Sequence, residues 1–192
     1  QINIGDGDNT VIAGYGSDTV TTGAGHDDVL GDNGTITYDA GLAVNLSTND
    51  SAVKTTGVDT IDAGDGDNRI LGGLSSDTII TAAGDDAVLG DNGTLTYANG
   101  ILVKATSTEA ALGGEDQINI GDGNNLVIAG QAADTVNAGI GNDTVIGDSG
   151  EVNFDTSGII TDIQSTATDQ GGDDQINIGD GDNTVIAGYG SD

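Results

Sequence analysis

Residues 4–30 read IGDGDNTVI (4–12), AGYGSDTVT (13–21) and TGAGHDDVL (22–30), three consecutive nonapeptides in one register. A fourth unit precedes this trio in later parts of the chain, as KTTGVDTID (54–62), ALGGEDQIN (111–119) and DQGGDDQIN (169–177), with its tail visible as Gln1-Ile2-Asn3. Position eight of the unit is Ile2, Val11, Val20, Val29, Ile61, Ile70, Ile79, Val88, Ile118, Val127, Val136, Val145, Ile176 and Val185, β-branched throughout. Position six is Asp or Asn in every unit, and Gly gathers at positions two and four. Gly there permits positive φ and a tight turn with exposed carbonyls, so the unit divides into a six-residue turn and a three-residue strand. Alternation along the strand then sends position eight inward and positions seven and nine outward.

A longer period lies above the short one. Aligning Gly5, Gly64, Gly121 and Gly179 gives spacings of 59, 57 and 58, and residues 1–18 recur identically at 175–192. The expected organisation is one continuous solenoid over 1–192 with modules 1–58, 59–116 and 117–174, and 175–192 opening the next super-repeat. Beginning at Gln1 with no initiator Met and no basic leader, the chain is expected to be a window of a longer array.

Composition narrows what such an array can be. The chain has 192 residues with no Cys, Met, Trp or Pro, four Tyr and one Phe, so any core must be thin and built from Val, Ile and Leu. Thirty-two acids face three bases, Lys54, Arg69 and Lys104, for a net charge of -29, and all but Glu109, Glu115 and Glu151 of the acids are Asp. This field repels nucleic acid and anionic membranes, and no window is apolar enough to span a bilayer. Acids repeated in every module are structural rather than a glycosidase pair. The single histidine, His26, has no Cys or Ser partner arrangement for nucleophilic chemistry, so no enzyme is expected.

These nonapeptides resemble the repeats-in-toxin (RTX), or hemolysin-type calcium-binding, motif G-G-x-G-x-D-x-(apolar)-x, over about two thirds of the chain. The resemblance implies an elongated all-β, right-handed parallel β-roll, a β-solenoid of 18-residue coils whose stacked turns bind several calcium ions. Successive units would alternate between two parallel sheets, with each turn stacked on the one two units away. Carried over position by position, the acidic ligand falls at Asp18, Asp27, Asp59, Asp77, Asp86, Asp116, Asp134, Asp143, Asp174 and Asp192. One unit per module departs from the motif, with Asn9, Asn68, Asn125 or Asn183 at position six. Acids there move to position three (Asp6, Asp65, Asp122, Asp180) and, in part, to position five (Asp8, Asp67, Asp182). Asn ligates through its amide oxygen with less charge, so sites on that edge are expected to be weaker or differently shaped. His26, Ser75, Ser76, Gln131 and Ala132 dilute the Gly pattern, and some turns are expected to be empty. Without calcium the carboxylates repel one another, so folding and metal binding should be one event.

Each module also carries an insertion of roughly 22 residues, opening GDNGTITYDAGLAVNLSTND (31–50), GDNGTLTYANGILVKATSTE (90–109) and GDSGEVNFDTSGIITDIQST (147–166). Apolar and polar residues alternate on both sides of a Gly-containing turn, a strand-turn-strand signal, and Tyr38, Tyr97 and Phe154 recur in phase. The insertion is either a hairpin or an enlarged third coil, and its length of one coil plus about four residues favours the coil. One sheet would also carry an apolar outer stripe at position nine: Ile12, Leu30, Leu71, Leu89, Ile128, Ile146 and Ile186. Either the insertion strands or another copy of the array is expected to cover it.

The resemblance implies a bacterial protein, passed unfolded through type I secretion and folded outside the cell, on its surface or in a matrix. Its expected role is structural, as an adhesin extender or a filament-forming matrix component. The alternative is the carrier region of an RTX toxin or secreted hydrolase. An ice-binding solenoid fits less well, because the outward turn residues vary (Tyr15, Leu74, Gln131) where a flat Thr/Asn ladder is needed.

Overall fold

The computed structural model describes residues 1–48, 50 and 57–192. The first residues of the unit KTTGVDTID (54–62) and the end of the first insertion lie outside the described residues. Among those described, the chain is all strand and turn, with no helix and hence none long and apolar enough to cross a membrane.

Two parallel sheets, each of seven described strands, form the two faces of a roll. The first stacks Ile2–Asn3, Thr19–Thr21, Thr60–Asp62, Thr78–Ile80, Gln117–Ile120, Thr135–Ala138 and Gln175–Ile178. The second stacks Thr10–Ile12, Asp28–Leu30, Arg69–Leu71, Ala87–Leu89, Leu126–Gly130, Thr144–Asp148 and Thr184–Ile186. Successive units therefore alternate between sheets, as the 18-residue coil requires. The register pairs position eight with position eight, Ile2 with Val20, Val20 with Ile61 and Ile61 with Ile79 in the first sheet. In the second, Val11 pairs with Val29 and Val29 with Ile70. Insertion residues lengthen every second connection from the second sheet to the first without disturbing this pairing.

The position-eight side chains meet between the sheets as one narrow core, from Val20 and Val29 through Ile61, Ile70, Ile79, Val88, Ile118 and Val127 to Val136 and Val145, all fully buried. Position one also points inward, a contribution the six-plus-three division of the unit does not capture. Ala63, Ile120 and Ala129 are buried in the same core, with Ile4, Ala13 and Ile178 packed against it. The strand alternation runs one residue beyond the three-residue strand, so the residue after position nine faces inward again.

The insertions are hairpins, not third coils. Gly34–Asp39 pairs antiparallel with Leu42–Thr48, Gly93–Ala98 with Ile101–Ser107, and Gly150–Phe154 with Ile160–Ser165. Turn chemistry decides this where length did not. Ala40 and Gly41 have φ of 50° and 86°, and Asn99 and Gly100 have 53° and 79°, the two positive values of the tight turn that matches strand twist. Each hairpin carries a register irregularity beside its in-phase aromatic, at Thr37/Tyr38, Thr96/Tyr97 and Asn153/Phe154.

The three hairpins then pair edge to edge, Leu46 opposite Leu95 and Ala105 opposite Val152, in a third, six-stranded antiparallel sheet. It lies on the outer face of the second parallel sheet. Commensurability explains why this works: one hairpin supplies two strands per module and the roll supplies two rungs, both spaced about 4.8 Å apart. The hairpin layer therefore keeps step with the roll.

This layer covers the apolar stripe. Leu30, Leu71, Leu89, Ile128 and Ile146 are at most 1% exposed and share a second core with Leu46, Leu95, Ala105 and Val152. Ile186 packs against its margin, while Ile12 is 46% exposed. Of the two expected covers, the insertion strands are the one observed, and they bury five of the stripe's seven residues within the chain itself. Arg69 clamps the same interlayer region, with its guanidinium donating to both oxygens of buried Asp28 and lying 4.7 Å over the ring of Tyr97.

Candidate metal centre

The turns joining the sheets stack into two columns. One column, here the Asp edge, runs from the second sheet to the first and carries Asp18, Asp59, Asp77, Asp116, Asp134, Asp174 and Asp192 at position six. The other, the Asn edge, alternates Asn9, Asp27, Asn68, Asp86, Asn125, Asp143 and Asn183.

A backbone-to-carboxylate ladder holds the Asp edge. The N–H of Asp18 donates to Oδ1 of Asp59 at 2.8 Å, that of Asp59 to Asp77 at 2.8 Å, and that of Asp77 to Asp116 at 2.7 Å. Asp116, Asp134 and Asp174 continue it to Asp134, Asp174 and Asp192 at 2.8, 2.9 and 3.1 Å. One oxygen of each acceptor is thereby satisfied and the other is left over. Oδ2 of Asp59, Asp77, Asp116, Asp134 and Asp174 is buried with no hydrogen-bond partner.

An ionised carboxylate in this condition costs several kcal/mol unless a cation meets it. In the metal-free chain burial pushes Asp77 and Asp134 up to about 9 and Asp59 and Asp174 up to about 6, only partly offset by the N–H each accepts. Asp116 is raised well above the ordinary carboxylate range, first by burial and then by the charge of Asp91.

Position-one residues show where carbonyl and carboxylate oxygens converge. A Cβ added at Gly31, Gly72, Gly90 or Gly147 would meet Oδ2 of Asp59, Asp77, Asp116 or Asp174 respectively. In each case it would also meet the carbonyl oxygen of the next rung, at Gly72, Gly90, Ala129 or Ala187. Glycine keeps open a cradle of mixed oxygen donors, the set a hard cation of six to eight ligands prefers. Among the described residues no three His, Cys, Asp or Glu side chains group into a metal site by themselves. An ion on this edge would draw on one or two carboxylates at a time, with backbone carbonyls completing its shell. The chain's own residues fit calcium, which when bound supplies the positive charge that holds adjacent turns together.

Ser75 and Ala132, which replace Gly at position four of two Asp-edge turns, keep the left-handed conformation with φ of 81° and 75°. The turn path survives the dilution of the Gly pattern.

Three further acids belong to this edge and were not singled out by the nonapeptide register. Asp91 accepts N–H donors from Gly114 and Gln131, and Asp148 from Gly172 and Tyr189, so each ties the end of an insertion to the next coil. Asp32 accepts the N–H of Leu74 at 2.8 Å. Burial pushes Asp32 up to about 7 and Asp91 to about 8. The signal was present as Gly-Asp-Asn or Gly-Asp-Ser at 31–33, 90–92 and 147–149, directly after position nine of a unit in each module.

The Asn edge is built differently. Asp27, Asp86 and Asp143 each retain an unpartnered buried Oδ2. The asparagines between them are hydrogen-bonded within their own turns, as in Asn9, whose amide nitrogen donates to the carbonyls of Gly5 at 2.9 Å and Gly7 at 2.7 Å. Asp8, Asp67 and Asp182 at position five are exposed and join a solvent-facing ladder. Oδ1 of Asp8 accepts from His26, Oδ1 of Asp67 from Asp85, and Asp182 donates its N–H to Asn142.

Stacked turns with orphaned carboxylates and convergent carbonyls define a parallel β-solenoid whose turns fit calcium. A family model for the RTX calcium-binding nonapeptide repeat, in four copies, matches residues 3–35, 55–88 and 119–151, just over half of the chain. The chain belongs to this family, a non-catalytic structural repeat whose cofactor is calcium. No curated protein and no solved structure matches it.

Proposed function

We propose that this region is a calcium-stiffened extender of a secreted bacterial surface or matrix protein, whose length and rigidity are its function. The observation that carries this reading is the joint periodicity of the two layers. Each module of about 58 residues adds two rungs and one hairpin, and the second-to-first-sheet connections carry Asp at position six in every rung. Such a module lengthens the array by about 10 Å and requires nothing but its neighbours and the ion. The modules 1–58, 59–116 and 117–174 are the units of extension, and the coil is right-handed, as crossovers between parallel strands are.

Proteins of this repeat family are typically secreted by bacteria, and the acid columns suit that route. In a low-calcium interior the charged chain stays unfolded and can be exported through a type I channel, and millimolar calcium outside drives folding. The recurrence of residues 1–18 at 175–192 favours a tandem extender over the carrier region of a toxin or hydrolase.

Small-angle scattering tests the stiffening. With calcium the 192-residue chain should scatter as a compact particle with a radius of gyration near the folded scale of about 16 Å, and with chelator it should approach the unfolded scale of about 47 Å. Equal radii in the two conditions would contradict it.

A further inference from the structure

We propose that the asparagines of the Asn edge are not calcium ligands but amide latches, each of which closes the carbonyls of its own turn in place of an ion. This rests on calcium being the ion of the Asp edge and concerns what the other edge does instead.

Both ends of the amide are fixed by partners. Nδ2 of Asn68 donates to the carbonyls of Gly64 at 3.4 Å and Gly66 at 2.9 Å, and Nδ2 of Asn125 to those of Gly121 and Gly123 at 3.1 and 3.2 Å. Oδ1 of Asn68 accepts the N–H of Asp27 at 3.1 Å, and Oδ1 of Asn125 that of Asp86 at 3.0 Å. Exchanging oxygen and nitrogen would set the NH2 group against an N–H and the oxygen against two carbonyls, so one orientation is imposed. The same nitrogen also reaches the carboxylate of the following rung, Asn9 to Asp27 and Asn125 to Asp143, each at 3.0 Å. Two turn carbonyls and a neighbouring carboxylate are the oxygens a bridging cation would collect, and here a neutral N–H donor collects them.

Aspartate at the same position cannot do this. A carboxylate has no donor, so it faces the turn carbonyls acceptor to acceptor, and its second oxygen stays buried and unpartnered, on the Asp edge and equally at Asp27, Asp86 and Asp143. One atom pair, NH2 against O⁻, thus decides whether a turn's carbonyls are closed by the chain or are left for an ion. The amide also reaches the next rung's carboxylate at 9/27 and 125/143, both inside a module where an 18-residue coil separates the rungs, whereas at 68/86 only the backbone N–H of Asn68 does so.

The test counts calcium ions on the whole chain by native mass spectrometry at saturating calcium, using calcium alone as the probe. Asn68→Asp with Asn125→Asp should raise the count by at least one ion for each substituted turn. Asn68→Ala with Asn125→Ala should leave the count unchanged while lowering the thermal midpoint. A fall in the count with the alanine pair would make the asparagines ligands and overturn the latch, as would an unchanged count with the aspartate pair. A wild-type chain that binds no calcium overturns the Asp-edge reading and the latch together, whereas a wild-type chain that binds it while the aspartate pair gains none overturns the latch alone.

Discussion

The roll and the hairpin layer solve the same problem, closing a β-layer over a thin core, with opposite means. The roll stacks identical units in parallel, which brings like charges onto like charges at every rung of the Asp edge, from Asp18 to Asp192. The hairpin layer is antiparallel, closes its backbone with local turns and meets the roll through Leu, Ile, Val and Ala. Repetition is therefore costly wherever the repeated residue is charged, and calcium removes that cost. The hairpins carry one repeat element that needs no ion, and they cover the one apolar stripe the roll cannot cover itself.

Breaking the metal side of this comparison should have the largest effect. In chelator the chain should lose β structure cooperatively, and the pH dependence of the metal-free state should be inverted relative to an ordinary acidic protein. The buried aspartates have folded values above the unfolded value of 3.8, so between those limits the folded state holds more protons, and stability falls as pH rises. Circular dichroism in chelator should show β structure best retained near pH 4 and lost before neutral pH as Asp59, Asp86 and Asp174 ionise through about 6, with Asp77 and Asp134, pushed up to about 9, adding to the loss above that. Calcium should restore it at neutral pH, because binding needs deprotonated carboxylates.

On the hairpin side, Leu95→Ala removes a fully buried side chain facing the roll. It should cost about 2–5 kcal/mol in thermal unfolding at saturating calcium, with the number of bound ions unchanged. A loss of ions would mean that the two layers are not separable in this way.

Turn substitutions sharpen the contrast at smaller scale. Gly100→Ala, at φ 79° with open space around it, should destabilise by about 1–2 kcal/mol through backbone conformation alone. Ala132→Gly, on the Asp edge at φ 75°, should change stability the other way, by up to about 1 kcal/mol. Both are read from unfolding midpoints in calcium.

The roll was legible residue by residue, because its signal is one β-branched position and one acidic position in a fixed period. Val20 and Ile61 pair 41 residues apart across an insertion, and position eight alone predicts it. The insertion was legible as strand-turn-strand but not as a hairpin: alternation of period two is common to parallel and antiparallel strands, and length pointed the wrong way. Asn99-Gly100 and Ala40-Gly41 held the deciding information as a turn type. Asp91 and Asp148 fell outside the nonapeptide register, so their bracing of insertion to coil emerged only from the backbone N–H groups they accept. The asparagines were legible as departures from the motif, but which end of the amide faces the turn depends on the stacked neighbours and cannot be read from one unit.

Far-UV circular dichroism during a calcium titration from a chelated start, with magnesium as control, tests the central claim most directly. A single cooperative coil-to-β transition at about 10⁻⁴ to 10⁻³ M calcium, absent with magnesium, is the predicted result. A chain already folded at neutral pH in chelator, or one that stays unfolded at millimolar calcium, would contradict it.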